Sequence, residues 1–125
     1  MNDLLTGKTI LLVEDEMLIM MLAEAYLQQL GCTYILIAST ERQAIDAIAT
    51  HHIDAAMLDM NLHGDSSDAV ADALNGKDVP FLFVTGYVDP CLAERHADRP
   101  ILNKPYGVSQ LGDQLADLLS RRRPQ

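Results

Sequence analysis

Five polar side chains suited to metal or phosphate chemistry each stand at the end of a short apolar run. Glu14 and Asp15 follow the first run, and Asp59 ends the third. Thr85 ends the fourth run, and Lys104 follows the fifth. Buried parallel strands are short apolar runs, and ligands bind beyond the carboxyl ends of such strands. We therefore expect these groups to meet at one sheet edge, where carboxylates suit Mg²⁺ and the hydroxyl and ammonium suit phosphoryl oxygens.

The elements that position these residues alternate between strand and helix patterns. The predicted strands are 9–13, 34–38, 54–58, 80–84 and 101–103. The predicted helices are 16–30, 40–50, 67–74, a short one at 90–96, and 108–119. Strands that alternate with helices imply right-handed crossovers and a parallel sheet that is covered on both faces. The predicted fold class is therefore α/β, a doubly wound five-stranded parallel sheet of the form (βα)5.

Helical spacing selects the side chains that face the core. In the first helix these are Ile19, Leu22, Ala23, Tyr26, Leu27 and Leu30. In the later helices they are Ala44, Ile45 and Ile48, then Ala69, Val70 and Ala73, and finally Leu111, Leu115, Leu118 and Leu119. Four apolar side chains remain on the flanks and outer side of the first helix, namely Met17, Leu18, Met20 and Met21. Contiguous exposed apolar surface often marks a partner site, and methionine adapts to varied partners.

Composition narrows the range of functions. The chain has 125 residues, with 18 acidic and 9 basic side chains and a net charge of −9. This charge argues against nucleic-acid binding, which relies on Lys and Arg. Cys32 and Cys91 lack metal-ligand spacing and indicate free thiols. Neither a signal peptide nor an apolar run of membrane-spanning length is evident. We expect one domain over residues 1–125, in the cytoplasm, without membrane or nucleic-acid partners and without an output domain.

The order of these residues resembles the receiver domain of bacterial two-component response regulators, over essentially the whole chain. Glu14-Asp15 is similar to the acidic pair of that family, and Asp59 to its phosphoacceptor aspartate. Thr85 is similar to the switch Thr/Ser, and Lys104-Pro105 to the Lys-Pro pair. The loop 61–64 resembles the Asn/Met-Pro-Gly stretch, with a histidine in place of proline. The resemblance implies a flavodoxin-like receiver fold.

The resemblance also implies a reaction. A partner histidine kinase or phosphotransfer protein presents a phosphohistidine, and Asp59 attacks the phosphorus to form an aspartyl phosphate. Asp15, Asp59, the carbonyl of Asn61 and, partly through water, Glu14 would hold Mg²⁺. Thr85 and Lys104 would bind phosphoryl oxygens, since phosphoryl transfer depends mainly on positioning and charge neutralisation. The chain is then no enzyme, apart from catalysing its own phosphorylation and dephosphorylation.

A switch is implied by the same resemblance. Thr85 gains a phosphoryl acceptor, and the loop that contains Gly86 and Tyr87 moves toward the site. Most family members have a switching aromatic residue in the fifth strand, where this chain has Ile101. The run 83–87 resembles an atypical subgroup with Phe-Ala-Thr-Gly at this strand end and a weak fourth helix. Membership would indicate kinases of the HWE class, with Tyr87 in the place of the missing aromatic.

The family docks its kinase at the start of the first helix. We therefore expect Met17, Leu18, Met20 and Met21, with Pro105 and Tyr106, to contact the kinase or a second copy in a weak homodimer. Output would be contact with a downstream protein, relay to a phosphotransfer protein, or draining of phosphate from a kinase.

Two other readings stay open. A pseudo-receiver would bind partners without phosphorylation. A phosphohydrolase with an aspartyl-phosphate intermediate would act on a small metabolite, but such enzymes commonly have a second acid where this chain has Asn61. His63 and His96 are predicted to lie in loops, and His63 is predicted to lie near enough to Asp59 to affect hydrolysis.

Overall fold

A computed structural model describes residues 3–120 and places a parallel sheet between two layers of helices. The predicted domain also includes residues 1, 2 and 121–125, which lie outside the described range. The strands are β1 (Thr9–Val13), β2 (Tyr34–Ala38), β3 (Ala55–Asp59), β4 (Phe81–Thr85) and β5 (Ile101–Asn103). The helices are α1 (Met17–Gln29), α2 (Glu41–Thr50), α3 (Ser67–Gly76), α4 (Pro90–Arg95) and α5 (Val108–Ser120). The sheet order β2-β1-β3-β4-β5 confirms the predicted (βα)5 fold.

Each strand contributes to two apolar layers, because successive side chains point to opposite faces of a sheet. In β1, Leu11 and Val13 pack in the layer that contains α2, α3 and α4. Ile10 and Leu12 pack in the layer that contains α1 and α5. Every residue of β3 and β4 is buried, as expected for strands covered on both faces. The last residues of these two strands, Asp59 and Thr85, are therefore buried as well.

Local signals explain where the helices begin and end. The side chains of Thr40, Ser66 and Asp89 cap α2, α3 and α4 by accepting hydrogen bonds from backbone N–H groups of the first turn. Gly31 follows α1 with a φ of 93°, a left-handed conformation that glycine adopts without steric cost. The predicted boundaries hold to within two residues. Within residues 3–120, no helix is both long and apolar enough to cross a membrane.

The inward faces of two helices differ from the prediction. In α1, Leu22 is exposed, whereas Met20 is half-buried against the core. This helix is apolar around most of its circumference, so spacing alone did not select the face that packs on β1 and α5. In α3, Ala71 is fully buried and Ala69 is only partly buried. The buried face of α3 is therefore shifted relative to the prediction, and it begins with the side chain of Ser67.

Candidate functional site

Three carboxylates meet at the carboxyl edge of the sheet. Val13 pairs with Leu58 across β1 and β3, which brings Glu14 and Asp15 beside Asp59. One oxygen from each carboxylate lies within 4.8 Å of the others. Glu14 and Asp59 are 3% and 2% exposed, so two of the three charges are removed from bulk water. The structure thus brings together the acids that the sequence placed at strand ends.

Lys104 supplies the positive charge within this cluster. Its Nζ lies 3.1 Å from Glu14 Oε1 and 3.6 Å from Asp59 Oδ2, and it lies 3.9 Å from the exposed carboxylate of Glu16. The backbone N–H of Lys104 donates to the carbonyl of Thr85, which holds the lysine beside the end of β4. The peptide bond from Lys104 to Pro105 is cis. One ammonium therefore faces two buried carboxylates at once.

The electrostatics of Glu14 reflect this excess of negative charge. Burial, followed by the charge of Asp59, raises the pKa of Glu14 from 4.5 to about 7. The ammonium of Lys104 acts in the opposite direction and does not cancel these two effects. A carboxyl group disfavours its charged form when it is buried beside another acid. A further cation at this site would therefore favour the ionised form of Glu14.

Asp15 is oriented by His63, which follows β3 in the loop that leads to α3. The Oδ2 of Asp15 accepts hydrogen bonds from the backbone N–H and from Nδ1 of His63, both at 2.9 Å. Burial pushes the pKa of Asp15 upward, but the hydrogen bonds from His63 outweigh it and leave the pKa below its ordinary value. The other oxygen, Oδ1, is buried and has no hydrogen-bond partner among residues 3–120.

The residues present fit a magnesium ion. Mg²⁺ takes oxygen ligands and keeps several waters, and buried polar atoms normally have partners. The unpartnered Oδ1 of Asp15 and the nearby carboxylates of Asp59 and Glu14 are such ligands. The Oδ1 of Asp59 accepts a hydrogen bond from the N–H of Asn61 at 2.9 Å. The predicted role of the Asn61 backbone carbonyl as a Mg²⁺ ligand stays a prediction.

Thr85 lies at the end of β4 and belongs to a closed set of hydrogen bonds with Asn61 and Tyr87. Its hydroxyl donates to Asn61 Oδ1 at 2.6 Å and lies 2.5 Å from the carbonyl oxygen of Tyr87. The Tyr87 N–H donates to the same hydroxyl at 2.8 Å, and Asn61 Nδ2 donates to the Tyr87 carbonyl at 3.1 Å. This set ties the loop after β4 to the loop after β3, so Thr85 can bind a phosphoryl oxygen only after these bonds rearrange.

The other predicted switch residues are placed as follows. The side chain of Tyr87 is 82% exposed, so this residue contacts the site through its backbone and not through its ring. Gly86 is exposed, and nothing crowds the position of a Cβ atom there. Ile101 in β5 pairs with Phe83 and packs against the core as a half-buried aliphatic residue.

The predicted partner residues form one apolar surface beside Lys104. At the start of α1, Met17, Leu18, Met21 and Leu22 are 68%, 82%, 55% and 51% exposed. An apolar groove of about 290 Å³ adjoins them, lined by Ile19, Leu22, Lys104, Pro105 and Tyr106. Met20 lies on the flank of α1, half-buried against the core, whereas Leu22, which was predicted to face the core, is exposed beside the other three residues.

The half-buried ring of Tyr106 supports the groove by packing edge-on against Tyr26, with ring centroids 5.9 Å apart. Burial, followed by the charge of Glu14, raises the pKa of Tyr106 to about 12. Burial and the charge of Glu14 therefore both favour the neutral form of Tyr106, which lines the groove.

Ser67 and His96 make buried contacts that the sequence patterns did not predict. Ser67 is buried, and its hydroxyl donates to the backbone carbonyl of Asp59 at 2.7 Å. His96 directly follows α4, in agreement with its predicted place in a loop, but it is 6% exposed and contacts Asp68 in α3. The sequence pattern predicted Ser67 only as the start of a helix and not as a contact of Asp59. No sequence pattern predicted the burial of His96, because its partner Asp68 lies 28 residues earlier in the chain.

Comparison with known proteins identifies the class. The family model of the response regulator receiver domain matches residues 10–116. The chain therefore belongs to the response regulator receiver domain family, whose members act in two-component signalling and typically carry a phosphorylated aspartate and bind Mg²⁺.

Within this family, the chain is similar to particular proteins in sequence and in structure. The chain is 36% identical over 101 residues to the phyllosphere-induced regulator PhyR of Methylorubrum extorquens, covering 78% of this chain and 38% of PhyR. It is similar to SdrG from Sphingomonas melonis Fr1, with 42% identity, a TM-score of 0.79 and coverage of 93% and 98% of the two chains. The BeF3-activated conformation of SdrG from Pseudomonas melonis Fr1 has 40% identity, a TM-score of 0.77 and coverage of 91% and 98%.

Proposed function

We propose that this receiver accepts a phosphoryl group on Asp59 from the phosphohistidine of a histidine kinase or phosphotransfer protein, and thereby changes its protein contacts. The observation that carries the proposal is the buried cluster of Glu14, Asp15 and Asp59, with its unpartnered oxygen on Asp15 and its ammonium from Lys104. The likeness to SdrG, a protein solved in a BeF3-activated conformation, supports it.

The chemistry follows from groups on this chain. The N–H of Asn61 holds Oδ1 of Asp59, and Oδ2 faces Lys104. An ionised carboxylate is already a nucleophile and needs no general base. As an oxygen of Asp59 forms a bond to phosphorus, the bond from phosphorus to the donor nitrogen breaks, and the donor imidazole leaves with that electron pair. Lys104 neutralises charge on the phosphoryl oxygens.

Three carboxylates would hold the metal in this proposal, namely Glu14, Asp15 and Asp59. Mg²⁺ bound there would neutralise charge on the carboxylates and on the phosphoryl group. His63 orients Asp15 for this role through two hydrogen bonds. Hydrolysis of the aspartyl phosphate then restores the carboxylate.

The cognate partner belongs to the same proposal. The exposed apolar residues at the start of α1 and the groove beside Lys104 form the surface on which the helices of a kinase would dock. The Phe-Val-Thr-Gly-Tyr run at 83–87 favours a kinase of the HWE class. The chain spans 38% of the length of PhyR, so the activity of whole PhyR is not assigned to it.

The test is phosphorylation by a small acyl- or amidophosphate, followed by intact mass spectrometry with and without Mg²⁺. We expect one phosphate adduct on the wild type, and none on Asp59→Asn or without Mg²⁺. Asp89→Asn is the matched control, since Asp89 lies on the same edge of the sheet and asparagine can also cap α4.

A folded wild type that takes no adduct in Mg²⁺ would reject the proposal and favour a pseudo-receiver. An adduct that survives in Asp59→Asn would place the chemistry elsewhere. Turnover of a small phosphate ester would instead favour the phosphohydrolase.

A further inference from the structure

Helix α4 has little apolar anchorage. It is six residues long, and Leu92 is the one residue within it that is buried. Isolated helices of this length do not persist in water, so tertiary contacts must hold α4 in place. Its start is capped by Asp89, but its end needs a separate anchor.

His96 supplies that anchor. Its ring is buried beside Phe81 and Phe83, with centroid distances of 6.3 and 5.8 Å. Its Nε2–H donates to Asp68 Oδ1 at 2.9 Å, which joins the end of α4 to the first turn of α3. The N–H of His96 also donates to the carbonyl of Leu92. One side chain therefore fixes the end of α4 to both the sheet and α3.

Arg95 completes the contact between the two helices. Its guanidinium pairs with Asp68 and lies 3.3 Å from Asp72 Oδ1. Asp68, Asp72 and His96 could together ligate a metal, but Arg95 already contacts both carboxylates and supplies the counter-charge. The cluster is therefore a fastening between helices, which we call the α3–α4 lock.

The first turn of α3 also contacts Asp59. Ser67, the neighbour of Asp68, donates its hydroxyl to the Asp59 carbonyl at 2.7 Å, and both residues are buried. Ser67 and Asp68 are adjacent in the chain but form hydrogen bonds with two different parts of the structure. Ser67 holds the main chain of the candidate phosphoacceptor, and Asp68 holds the end of α4.

We propose that Ser67 and Asp68 link the state of Asp59 to the attachment of α4 through the α3–α4 lock. This inference rests on the proposed phosphorylation of Asp59. A phosphoryl group there competes for the N–H of Asn61 and the hydroxyl of Thr85, which are now bonded to Asp59 Oδ1 and Asn61 Oδ1. Segment 59–61 must therefore form new bonds. Ser67 transmits the shift of the Asp59 carbonyl to the adjacent Asp68, and the lock weakens.

The test is amide hydrogen exchange by NMR on the ¹⁵N-labelled protein with Mg²⁺, using BeF3⁻ as the phosphoryl mimic. Ser67→Ala removes the bond to Asp59, and Asp68→Ala removes the lock. Ser109→Ala and Asp113→Ala are matched controls, because both replace exposed residues of α5. Sheet amides report that each variant is folded, and the Asn61 amide shift reports that BeF3⁻ is bound.

In the wild type we expect BeF3⁻ to speed the exchange of α4 amides by about tenfold, which corresponds to about 1.4 kcal/mol. In Ser67→Ala, BeF3⁻ still binds and the change at α4 falls to under about threefold. In Asp68→Ala, exchange at α4 is already about tenfold faster without BeF3⁻, while exchange in the sheet is unchanged.

Different outcomes separate the two ideas. If BeF3⁻ leaves the Asn61 amide of the wild type unshifted, the proposed function is rejected. The proposed link between Asp59 and α4 is then rejected as well, because it rests on that function. If BeF3⁻ binds and Ser67→Ala retains the wild-type change at α4, the link alone is overturned. If Asp68→Ala leaves α4 exchange unchanged without BeF3⁻, the lock itself is rejected, whatever happens at Asp59.

Discussion

Lys104 lies closer to Glu14 than to Asp59, with its Nζ 3.1 Å from Glu14 Oε1 and 3.6 Å from Asp59 Oδ2. The lysine thus forms its shorter ion pair with Glu14 and a longer one with Asp59. A phosphoryl group on Asp59 would bring oxygens toward the same ammonium, and Lys104 could bind them without leaving the cluster.

Replacement of Lys104 by methionine is the first prediction. It leaves two buried carboxylates without their nearest cation, and breaking such a pair costs on the order of 3 kcal/mol. We expect urea unfolding at about pH 8 with EDTA to show a loss of this size for Lys104→Met, since carboxyl groups are mostly ionised at this pH. Adduct formation with a small phosphodonor should fall about tenfold or more, because charge neutralisation is lost.

Lys77→Met is the matched control, since Lys77 is exposed just after α3. Equal losses of stability and labelling in the two variants would contradict a specific role for Lys104.

The pH dependence of stability is the second prediction. The folded state raises the pKa of Glu14 from 4.5 to about 7, mainly through burial and then through Asp59. The folded protein thus binds the Glu14 proton more tightly than the unfolded chain, and the free energy of unfolding falls as pH rises between those values. Without Mg²⁺ the full loss is on the order of 3 kcal/mol.

Glu14→Gln should remove most of this fall. Urea unfolding in EDTA across that pH range measures it, and Glu24→Gln on α1 is the control at a site that is not fully buried. Parallel stability curves for wild type and Glu14→Gln would show that Glu14 is not the group that titrates. Saturating Mg²⁺ should also flatten the wild-type curve, because a cation favours the ionised carboxylate.

Much of this arrangement could be predicted from sequence because it depends on strand ends. Apolar runs located β1, β3 and β4, and the rule that parallel strands share a carboxyl edge brought Asp59 near Asp15. The orientation of α1 could not be predicted in the same way. Its apolar residues surround the helix, so only packing against β1 and α5 selects Met20 over Leu22.

Contacts between distant segments could not be predicted either, because they too depend on how the elements pack together. The buried position of His96 depends on Asp68 and on two phenylalanine rings of β4, which meet only in the folded chain. The hydrogen bond from Thr85 to Asn61 likewise joins two loops that periodicity does not describe. Local pattern predicts elements, whereas such side-chain partners depend on how the elements are packed.

The partner surface gives the third prediction. Met21 is 55% exposed on α1, whereas Met20 packs against the core, so a charge at Met21 disturbs the surface without disturbing the fold. We expect Met21→Glu to slow transfer from the phosphorylated kinase about tenfold or more, because a charge is poorly tolerated in an apolar interface. Labelling by a small phosphodonor should be unchanged.

Tyr34→Glu is the matched control, since Tyr34 is 61% exposed at the first residue of β2, on the amino edge of the sheet, whereas α1 begins at the carboxyl edge. Transfer rates that fall equally for both variants, or labelling that falls along with transfer, would reject docking on α1.

The hydrogen bonds of Thr85 give the fourth prediction. Valine has nearly the shape of threonine but neither donates to Asn61 nor accepts from the N–H of Tyr87. Thr85 is fully buried, so Thr85→Val should cost about 1–3 kcal/mol in urea unfolding. The amide of Tyr87 should exchange faster and lose its response to BeF3⁻, whereas BeF3⁻ still binds near Asp59.

Thr33→Val is the matched control, because Thr33 is exposed between α1 and β2. If Tyr87 still responds to BeF3⁻ in Thr85→Val as in the wild type, the loop after β4 moves independently of the Thr85 hydroxyl. If the response is lost only in that variant, the closed hydrogen bonds among Asn61, Thr85 and Tyr87 are what the phosphoryl group must open before the loop can move.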